Sequence, residues 1–331
     1  MDSLRLLYRD VDRTPYLFTL RACAERLGLK LELIRFDMMS LASSGPTGQD
    51  WGELLLSGAV DVVAENYWGL QSYRAVGQPV LCLASNTSLW TEKLLVAPGI
   101  KSIGDLRGTR FALRSPGPQA LLPTVWLADM GLASSVETVT YPDQEVGRWR
   151  HWTKVASGEC QACFVTNVYA DRALAGGLAE LPYPSYPFEG GNVTLTVTEA
   201  LAQRRPEAVQ ALVDSAFDAT SAFKSDPGAV LAIMRAECAG LLAENFGELD
   251  EERLRWLYGV LRDELSDHPL PTPEGIASAR RIRLGTAPEL EAYNPMIMWD
   301  LGFARRAMAR RAPRTVPPAA GQGTRTRRTG R

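Results

Sequence analysis

The chain has few of the residues that build metal centres and disulfide frameworks. Its 331 residues include two histidines and five cysteines. A histidine-rich metal site is therefore not expected, and an odd number of cysteines does not make a disulfide framework. No apolar run approaches the ~18 residues that are needed to cross a bilayer. No motif calls for a metal ion or an organic cofactor, and no membrane span is expected.

Acidic side chains are missing from the C-terminal end of the chain. Residues 301–331 carry nine arginines and no acidic residue, so residues 1–300 hold the other 27 basic and all 38 acidic side chains. An acidic body argues against nucleic-acid binding, which requires a basic face. Residues 312–331 have almost no apolar side chains, and we expect a disordered, Arg-rich tail there. Its simplest role is to keep the end soluble; contact with anionic partners is the alternative.

The N-terminus lacks the pattern of a secretion signal. Such a signal has a basic region, an apolar region of about 7–15 residues and a cleavage site with small residues. Here Met1-Asp2-Ser3 leads directly into LRLLYRD, which is typical of a strand. We therefore expect the protein to act in the cytoplasm, and removal of a signal from the given sequence is the alternative.

Strand-like and helix-like segments alternate through the first two thirds of the chain. Apolar runs and period-two alternation predict strands, and this order predicts a mainly parallel α/β sheet with right-handed crossovers. One helix is expected over residues 143–156 and another over 199–223. From Glu199 onward the pattern is helical, with proline and glycine between the segments.

Four segments along the chain carry a family resemblance. They are LLLSGAVDVVAEN, KSIGDLRGTRFALRSPGPQALLPTVWLADMGL, VASGECQACFVTNVYADRALAGG and VTEALAQRRPEAVQALVDSAFDATSAFKSDPGAV. In this order they resemble the type II periplasmic-binding-protein superfamily, and within it the branch for sulfonates, nitrate and thiamine precursors. K-S-I-x-D-L-R-G resembles the entry to that family's second lobe, and S-G-x-x-D its way of closing a helix against the sheet.

This resemblance implies two α/β lobes joined by a two-segment hinge, with a helical C-terminal region. Lobe one would comprise residues 1–87 and 192–311, and lobe two residues 88–191. Crossing segments near Ala84–Trp90 and Gly190–Val193 would form the hinge. The ligand would lie between the lobes, where the carboxyl ends of strands and the starts of helices converge.

Some cytoplasmic enzymes also resemble this fold, among them 4,5-dihydroxyphthalate decarboxylase, chorismate dehydratase and thiamine-pyrimidine synthase. Asp12-Arg13-Thr14 and LPTPEGIASARR (270–281) are similar to segments of the first enzyme. The CCCFC motif of the third is missing. Cys160 and Cys163 lie in another strand, where a spacing of three places them on opposite faces, so we expect no metal or redox pair.

Charged residues follow the first two predicted strands. Arg9, Asp10 and Arg13 come after the first strand, and Asp37 comes after the second. In an open α/β sheet such loops face the ligand crevice. An arginine offers a forked donor for carboxylate, sulfonate or phosphate. The alternative interpretation is a solvated turn with a helix cap.

The third predicted strand leads into Glu65, Asn66, Tyr67 and Trp68. Polar and aromatic groups at the end of one strand suit an aromatic or heterocyclic ligand that is held by stacking and a few hydrogen bonds. Glu65 would act as a general acid or base if burial raises its pKa. Alternatively, Glu65 supports the start of a helix and Trp68 belongs to the core.

Five further candidates belong to lobe two and the return crossing. Ser115 and Gln119 lie at a strand-to-helix junction, where free N–H groups and the helix dipole attract anions. The resemblance places the acidic end of many ligands there. Thr166 and Asn167 follow the strand CQACFV, and Asn192 flanks the hinge.

The sequence gives little reason to assign a catalytic role to the histidines. His151 lies between Arg150 and Trp152 on the helix expected over residues 143–156. A histidine has the pKa for acid–base work near neutral pH, but one that stands beside arginines on a helix is more often a surface residue.

The favoured hypothesis from the sequence is a cytoplasmic, cofactor-independent lyase of decarboxylase or dehydratase type. It would act on a small carboxylated or aromatic compound between the lobes, with Glu65 or Asp10 moving the proton. The alternative is the substrate-binding component of an ABC importer for a sulfonate, nitrate or thiamine-precursor-like solute, and a ligand sensor is a third option. The expected partner is a small anionic or aromatic molecule, and a homodimer is left open.

Overall fold

The protein was analysed as a computed structural model. The structure describes residues 2–9, 11–36, 50–114, 118–147, 149–184, 186–188 and 193–311. Ten strands form two separate sheets, and helices cover the faces of both. The expected fold, two α/β sheets in the arrangement of a type II periplasmic binding protein, is confirmed.

The first sheet has the order β2-β1-β3-β10-β4. Its strands are β1 (Asp2–Tyr8), β2 (Leu29–Arg35), β3 (Val62–Glu65), β4 (Val80–Ser85) and β10 (Thr194–Thr198). β1 pairs in parallel with β2 and β3. β10 follows the strands of the second sheet in the chain and lies antiparallel to β3 and β4.

The second sheet repeats this plan with the order β7-β6-β8-β5-β9. Its strands are β5 (Lys93–Val96), β6 (Arg110–Arg114), β7 (Glu137–Tyr141), β8 (Ala162–Val165) and β9 (Ala179–Glu180). β6 is parallel to β7 and β8, and β5 is antiparallel to β8 and β9. β1 and β6 therefore hold the same position in the two sheets. We call the layers around the first sheet lobe one and those around the second lobe two.

Fourteen α-helices lie in the described part of the chain. They are α1 (Thr14–Arg26), α2 (Trp51–Leu56), α3 (Trp68–Ala75), α4 (Pro118–Asp129), α5 (Asp143–Val146), α6 (Thr153–Ala156), α7 (Asn167–Ala175), α8 (Glu199–Arg204), α9 (Pro206–Ser225), α10 (Pro227–Ile233), α11 (Ala239–Phe246), α12 (Glu251–Glu264), α13 (Pro273–Arg283) and α14 (Gly302–Arg311). One π-helical turn spans Met234–Cys238, and 3-10 turns span Val11–Arg13, Ile103–Leu106, Pro288–Leu290 and Pro295–Met298. None of the helices in these ranges combines the length and apolar character that a bilayer crossing requires.

The prediction of a single helix over residues 143–156 is wrong. The chain forms α5 and α6 with a turn between them. Gly147 has a φ of 85° and Trp149 a φ of 57°, and an α-helix cannot continue through left-handed residues. The N–H of Arg150 donates instead to the carbonyl of Gly147 at 3.0 Å.

The helix expected over residues 199–223 divides in a similar way. α8 ends before Arg205, whose φ of −134° and ψ of 55° lie outside the helical region, and α9 begins at Pro206. Proline disfavours the helical conformation of the residue before it and has no N–H to continue the helix.

Two crossing segments connect the sheets and lie side by side. The N–H of Asn86 donates to the carbonyl of Val193, and the N–H of Val193 donates to Oδ1 of Asn86, both at 3.1 Å. Further along, the N–H of Trp90 donates to the carbonyl of Tyr186 at 2.9 Å. These bonds tie together the segments that were expected to form a hinge. The lobe boundaries 87/88 and 191/192 stay predictions.

Candidate functional site

The carboxyl end of the first sheet brings Arg9 and Glu65 together, as their positions after β1 and in β3 suggested. The backbone N–H of Arg9 donates to Oε1 of Glu65 at 2.6 Å. Nη2 of Arg9 lies 3.7 Å from Oε2 of the same carboxyl. Glu65 is buried, with 2% of its surface exposed. Trp51 at the start of α2 lies against the arginine, with the guanidinium carbon 5.1 Å from the ring centroid. We call Arg9, Trp51 and Glu65 the lobe-one arginine set.

The carboxyl end of the second sheet carries a similar group around Arg114, the last residue of β6. Its Nε and Nη2 donate to both carboxyl oxygens of Asp143 at 2.5–3.1 Å. Its guanidinium carbon lies 3.9 Å from the ring centroid of Trp149. The Arg114 side chain is 12% exposed. We call Arg114, Asp143 and Trp149 the lobe-two arginine set.

Trp149 is held in an unusual backbone conformation. It is the single residue other than glycine with a positive φ in the described ranges. The left-handed region costs a residue with a side chain about 1–2 kcal/mol. Residues held there cluster at functional sites. The ring is nevertheless buried and covers Arg114, so the surrounding contacts maintain the conformation.

His151 is not on the surface, contrary to the sequence-based expectation. It is 1% exposed, and its Nε2 lies 2.8 Å from the carbonyl oxygen of Phe164. Burial lowers its pKa to about 4. The ring is therefore neutral at physiological pH. The break between α5 and α6 explains the error, because it turns His151 inward.

Arg13 belongs to a buried charge cluster. Its Nη1 donates to Oε2 of Glu264, the last residue of α12, at 3.1 Å. Its Nε lies 3.5 Å from a carboxyl oxygen of Asp12. Burial raises the pKa of Glu264, while the charge of Arg13 and a hydrogen bond from Asn167 oppose the rise. The cluster lines a narrow cavity beside Asn86.

Glu92 precedes β5 and lies where charges of both lobes meet. Burial raises its pKa to about 7. The charge of Arg114 and a hydrogen bond with Trp90 lower the pKa of Glu92 against this rise. The charge of Glu264 raises it further, and the charge of Arg13 lowers it. This carboxyl therefore exchanges its proton near neutral pH. The same interactions show that the charge cluster of lobe one and the arginine set of lobe two act on one carboxyl.

Three predicted site residues that follow β3 lie in or beside the core. Tyr67 and Trp68 lie in the core, where Tyr67 packs edge-on against Trp299 and Trp68 against Phe188. Asn66 is half-buried beside them.

In lobe two, Thr166 is buried at the start of α7, and Asn167 bonds to Glu264. Predicted residues that lie outside the described ranges are Asp10, Asp37, Ser115, Asn192 and the side chain of Gln119. The ligand role of each candidate stays a prediction.

Sequence reasoning missed Trp51, Glu92, Arg114, Trp149 and Glu264. Arg114 ends a predicted strand, and the strand-end rule that selected Arg9 applies to it equally. Glu264 is separated from Arg13 by 251 positions, and no local pattern connects them. The described residues contain no group of three or more His, Cys, Asp or Glu side chains placed to hold a metal ion.

Comparison with known proteins gives a family and a set of structural neighbours. The family model described as NMT1/THI5 like matches residues 41–230, which is more than half of the chain. No match was found among curated proteins.

Three solved structures illustrate the similarity. The periplasmic sulfonate-binding protein SsuA of Methylobacillus flagellatus KT is 18% identical, with a TM-score of 0.62 and 94% of each chain covered. The alkanesulfonate-binding protein SsuA of Xanthomonas axonopodis pv. citri, bound to MOPS, is 18% identical, with a TM-score of 0.57 over 91% of this chain and 99% of that one. The desulfurization enzyme DSZB is 16% identical, with a TM-score of 0.61 over 94% of this chain and all of that one. At these identities the likeness shows the fold alone.

Proposed function

Since the chain belongs to the NMT1/THI5-like family, we propose that it binds a small organic anion, a sulfonate in the first place, between its two lobes. It would serve as the substrate-binding component of an importer. This was the alternative hypothesis from the sequence, and the sulfonate-binding neighbours support it better than they support a lyase.

One observation carries the proposal: each lobe presents an arginine beside a tryptophan at the carboxyl end of an equivalent strand. Arg9 follows β1 and Arg114 ends β6, and both strands hold the second position in their sheets. The carboxyl ends of the parallel strands in an open α/β sheet face the ligand crevice. Two lobes that close on a ligand would therefore bring a guanidinium and an indole to it from each side.

The chemistry of these groups suits a sulfonate on a short organic chain. A guanidinium donates paired hydrogen bonds to an oxyanion, and its planar fork fits such a group better than an ammonium does. The indole rings offer apolar surface for the organic part. Each arginine already has an acidic neighbour, so selection would rest on hydrogen-bond geometry and not on net positive charge.

A thermal-shift screen tests the proposal. The panel contains MOPS, propanesulfonate, nitrate and phthalate, with propanol as a matched ligand without the sulfonate group. A ligand that binds the native state raises stability by RT ln(1 + [L]/Kd). We expect propanesulfonate or MOPS to raise the melting temperature with concentration while propanol does not. Equal behaviour of sulfonates and propanol would contradict the proposal.

The importer role has a test of its own. A strain without the gene is grown on the bound sulfonate as the sole source of sulfur. We expect slow growth that the intact gene restores and a gene with Arg114→Met does not. Normal growth of the deletion strain on that compound would remove the importer role and leave ligand binding untouched.

A second candidate, the lyase expected from the sequence, is favoured by Glu92. A carboxyl with a pKa of about 7 has the proton affinity of a general acid or base at neutral pH. Glu65 and Asp10 remain the proton carriers proposed from the sequence. Incubation with dihydroxybenzoates, phthalates and chorismate-like acids, followed by mass spectrometry, would detect conversion. The lyase role requires turnover that Glu92→Gln or Glu65→Gln abolishes; no conversion of any compound counts against it.

Two further proposals concern the state of the protein in the cell. The cytoplasmic location expected from the N-terminal sequence is tested by cell fractionation with an antibody against the untagged protein. Recovery with the cell envelope or periplasm would favour the importer role. The homodimer left open by the sequence is tested by light scattering of the full chain.

A further inference from the structure

Trp149 lies in the middle of a column of flat groups that runs from one lobe to the other. One end is the Arg114 guanidinium, 3.9 Å from the centre of the indole. The ring of Tyr169 in α7 stacks on the indole, with 6.2 Å between the ring centroids and 19° between the planes. Phe246, at the end of α11, stacks on Tyr169 at 5.2 Å with an angle of 30°. Arg114 belongs to lobe two, whereas α11 packs against the 3-10 turn Val11–Arg13 of lobe one.

Polar contacts beside the column join α7 to α11 and to α12. Nη2 of Arg172 donates to the carbonyl of Phe246 at 3.1 Å. Nη2 of Arg253 lies 2.6 Å from Oδ2 of Asp171. The face between α7 and the C-terminal helices is therefore a contact between lobes, and the aromatic column passes through it to Arg114.

The backbone of Trp149 gives an independent reason to connect this column with function. A tryptophan with a φ of 57° occupies a place that glycine or asparagine would take at lower cost. The contacts of the indole with Arg114 and Tyr169 maintain this conformation. The ring also has a defined task, because it covers the face of the guanidinium whose edge bonds to Asp143.

We infer that Trp149 is a positioning residue, which fixes the Arg114 guanidinium for the ligand and links it through Tyr169 and Phe246 to the opposite lobe. The affinity test of this inference depends on the proposed function, because it requires that the protein binds MOPS. Its spectroscopic readout needs no ligand. Within the described residues, the bonds of Arg114 to Asp143 use Nε and Nη2. Nη1 makes no hydrogen bond to another described residue and would face the anion.

The test compares Trp149→Phe, which keeps a ring over the guanidinium, with Trp149→Leu, which keeps apolar bulk alone. Trp126→Leu is the control, because Trp126 is fully buried in lobe two and packs on Phe164 and Tyr183 without an arginine. MOPS is the probe, and calorimetry measures its dissociation constant. A cation–π contact at a desolvated site corresponds to about a tenfold change in affinity. We expect about a tenfold loss for Trp149→Leu and less than about threefold for Trp149→Phe and for Trp126→Leu.

A ligand-free signal separates this inference from the proposed function. In protein labelled with nitrogen-15 arginine, the Nε–H resonance of Arg114 is identified by its loss in Arg114→Lys. An indole stacked on the guanidinium shifts this resonance by its ring current. We expect the shift to persist in Trp149→Phe, to disappear in Trp149→Leu and to be unchanged in Trp126→Leu.

The outcomes are distinct for the two claims. If no sulfonate binds wild-type protein but the resonance behaves as expected, the proposed function fails and the arrangement of Trp149 and Arg114 stands. If the resonance is the same in Trp149→Leu and wild type, or if Trp149→Leu and Trp126→Leu weaken MOPS equally, Trp149 is a packing residue and the inference is overturned.

Discussion

The two arginine sets occupy equivalent places in the two lobes, but they are held in different ways. In lobe one the carboxyl Oε1 of Glu65 accepts the backbone N–H of Arg9, and the guanidinium is 3.7 Å away. In lobe two Asp143 binds the Arg114 guanidinium itself, at distances down to 2.5 Å. The fold repeats the position of the arginine, whereas the local loop decides which part of the arginine the carboxylate holds.

The aromatic partners show the same difference. The guanidinium of Arg9 is 5.1 Å from the ring of Trp51, and that of Arg114 is 3.9 Å from Trp149. Trp51 begins an ordinary helix, whereas Trp149 lies in a left-handed turn. We therefore expect lobe two to carry the pre-organised half of the proposed site, and lobe one the half that adapts.

The largest expected effect concerns Arg13, whose charge is compensated within the fold. Arg13→Met removes the cation between two buried carboxyls, and breaking a buried ion pair from one side costs about 3 kcal/mol. We expect a loss of that size in the free energy of unfolding, measured by urea denaturation, with the affinity for MOPS within about threefold of wild type. Arg35→Met, at an exposed pair with Glu244, is the control and should change stability much less.

A loss of MOPS binding in Arg13→Met as large as that in Arg114→Met would contradict this assignment. Arg13 would then belong to the ligand site of lobe one, and the contrast between the lobes would need revision.

The next largest expected effect follows from the loss of Arg114. Arg114→Met should weaken MOPS binding about a hundredfold, because it removes a hydrogen-bonded charge from a mostly buried site and leaves Asp143 unpaired. Calorimetry measures the change. Arg114→Met combined with Asp143→Asn separates the two causes, since it removes the unpaired carboxylate as well. Recovery of wild-type affinity in the double variant would show that Arg114 only neutralises Asp143.

The corresponding change in lobe one should be smaller. Arg9→Met removes a side chain with a long ion pair but leaves the backbone bond to Glu65, so we expect about a tenfold loss of affinity. The ratio of the two losses measures the difference between the lobes directly. An equal or greater loss in Arg9→Met would reverse the assignment of the pre-organised half.

The smallest effect is a dependence of binding on pH. Burial raises the pKa of Glu92 to about 7, so its negative charge appears as pH rises through 7 and then disfavours a bound anion. We expect the affinity for propanesulfonate, which stays ionised throughout, to fall a few-fold between pH 6 and pH 8. Glu92→Gln should remove this dependence. The facing charges are those of Arg114, Glu264 and Arg13, and a dependence that survives in Glu92→Gln would point to Glu264.

The fold followed from the sequence because its signals are local and repeated. Apolar strands alternate with helices that end at glycine, and this alternation specifies the parallel pairs of β1 and β6 with their neighbours. Arg9 and Glu65 meet because strand ends converge, which needs no knowledge of side-chain contacts. The apolar alternation of β10 is typical of a strand, but its place between β3 and β4 depends on pairing over a long sequence separation.

Two features of the site lay beyond local reasoning. The bond between Arg13 and Glu264 joins residues far apart in the sequence, so no local pattern showed that the charge of Arg13 is compensated within the fold. The segment around Trp149 has helical spacing, and the turn forms because packing on Arg114 and Tyr169 outweighs the backbone preference.

The most direct test of the central claim is a calorimetric titration of the wild-type protein with propanesulfonate and with propanol. The account predicts saturable binding of one propanesulfonate per chain and no measurable binding of propanol, because the arginines of both lobes recognise the anionic group. Equal binding of the two ligands, or no saturable binding of any sulfonate, would contradict it.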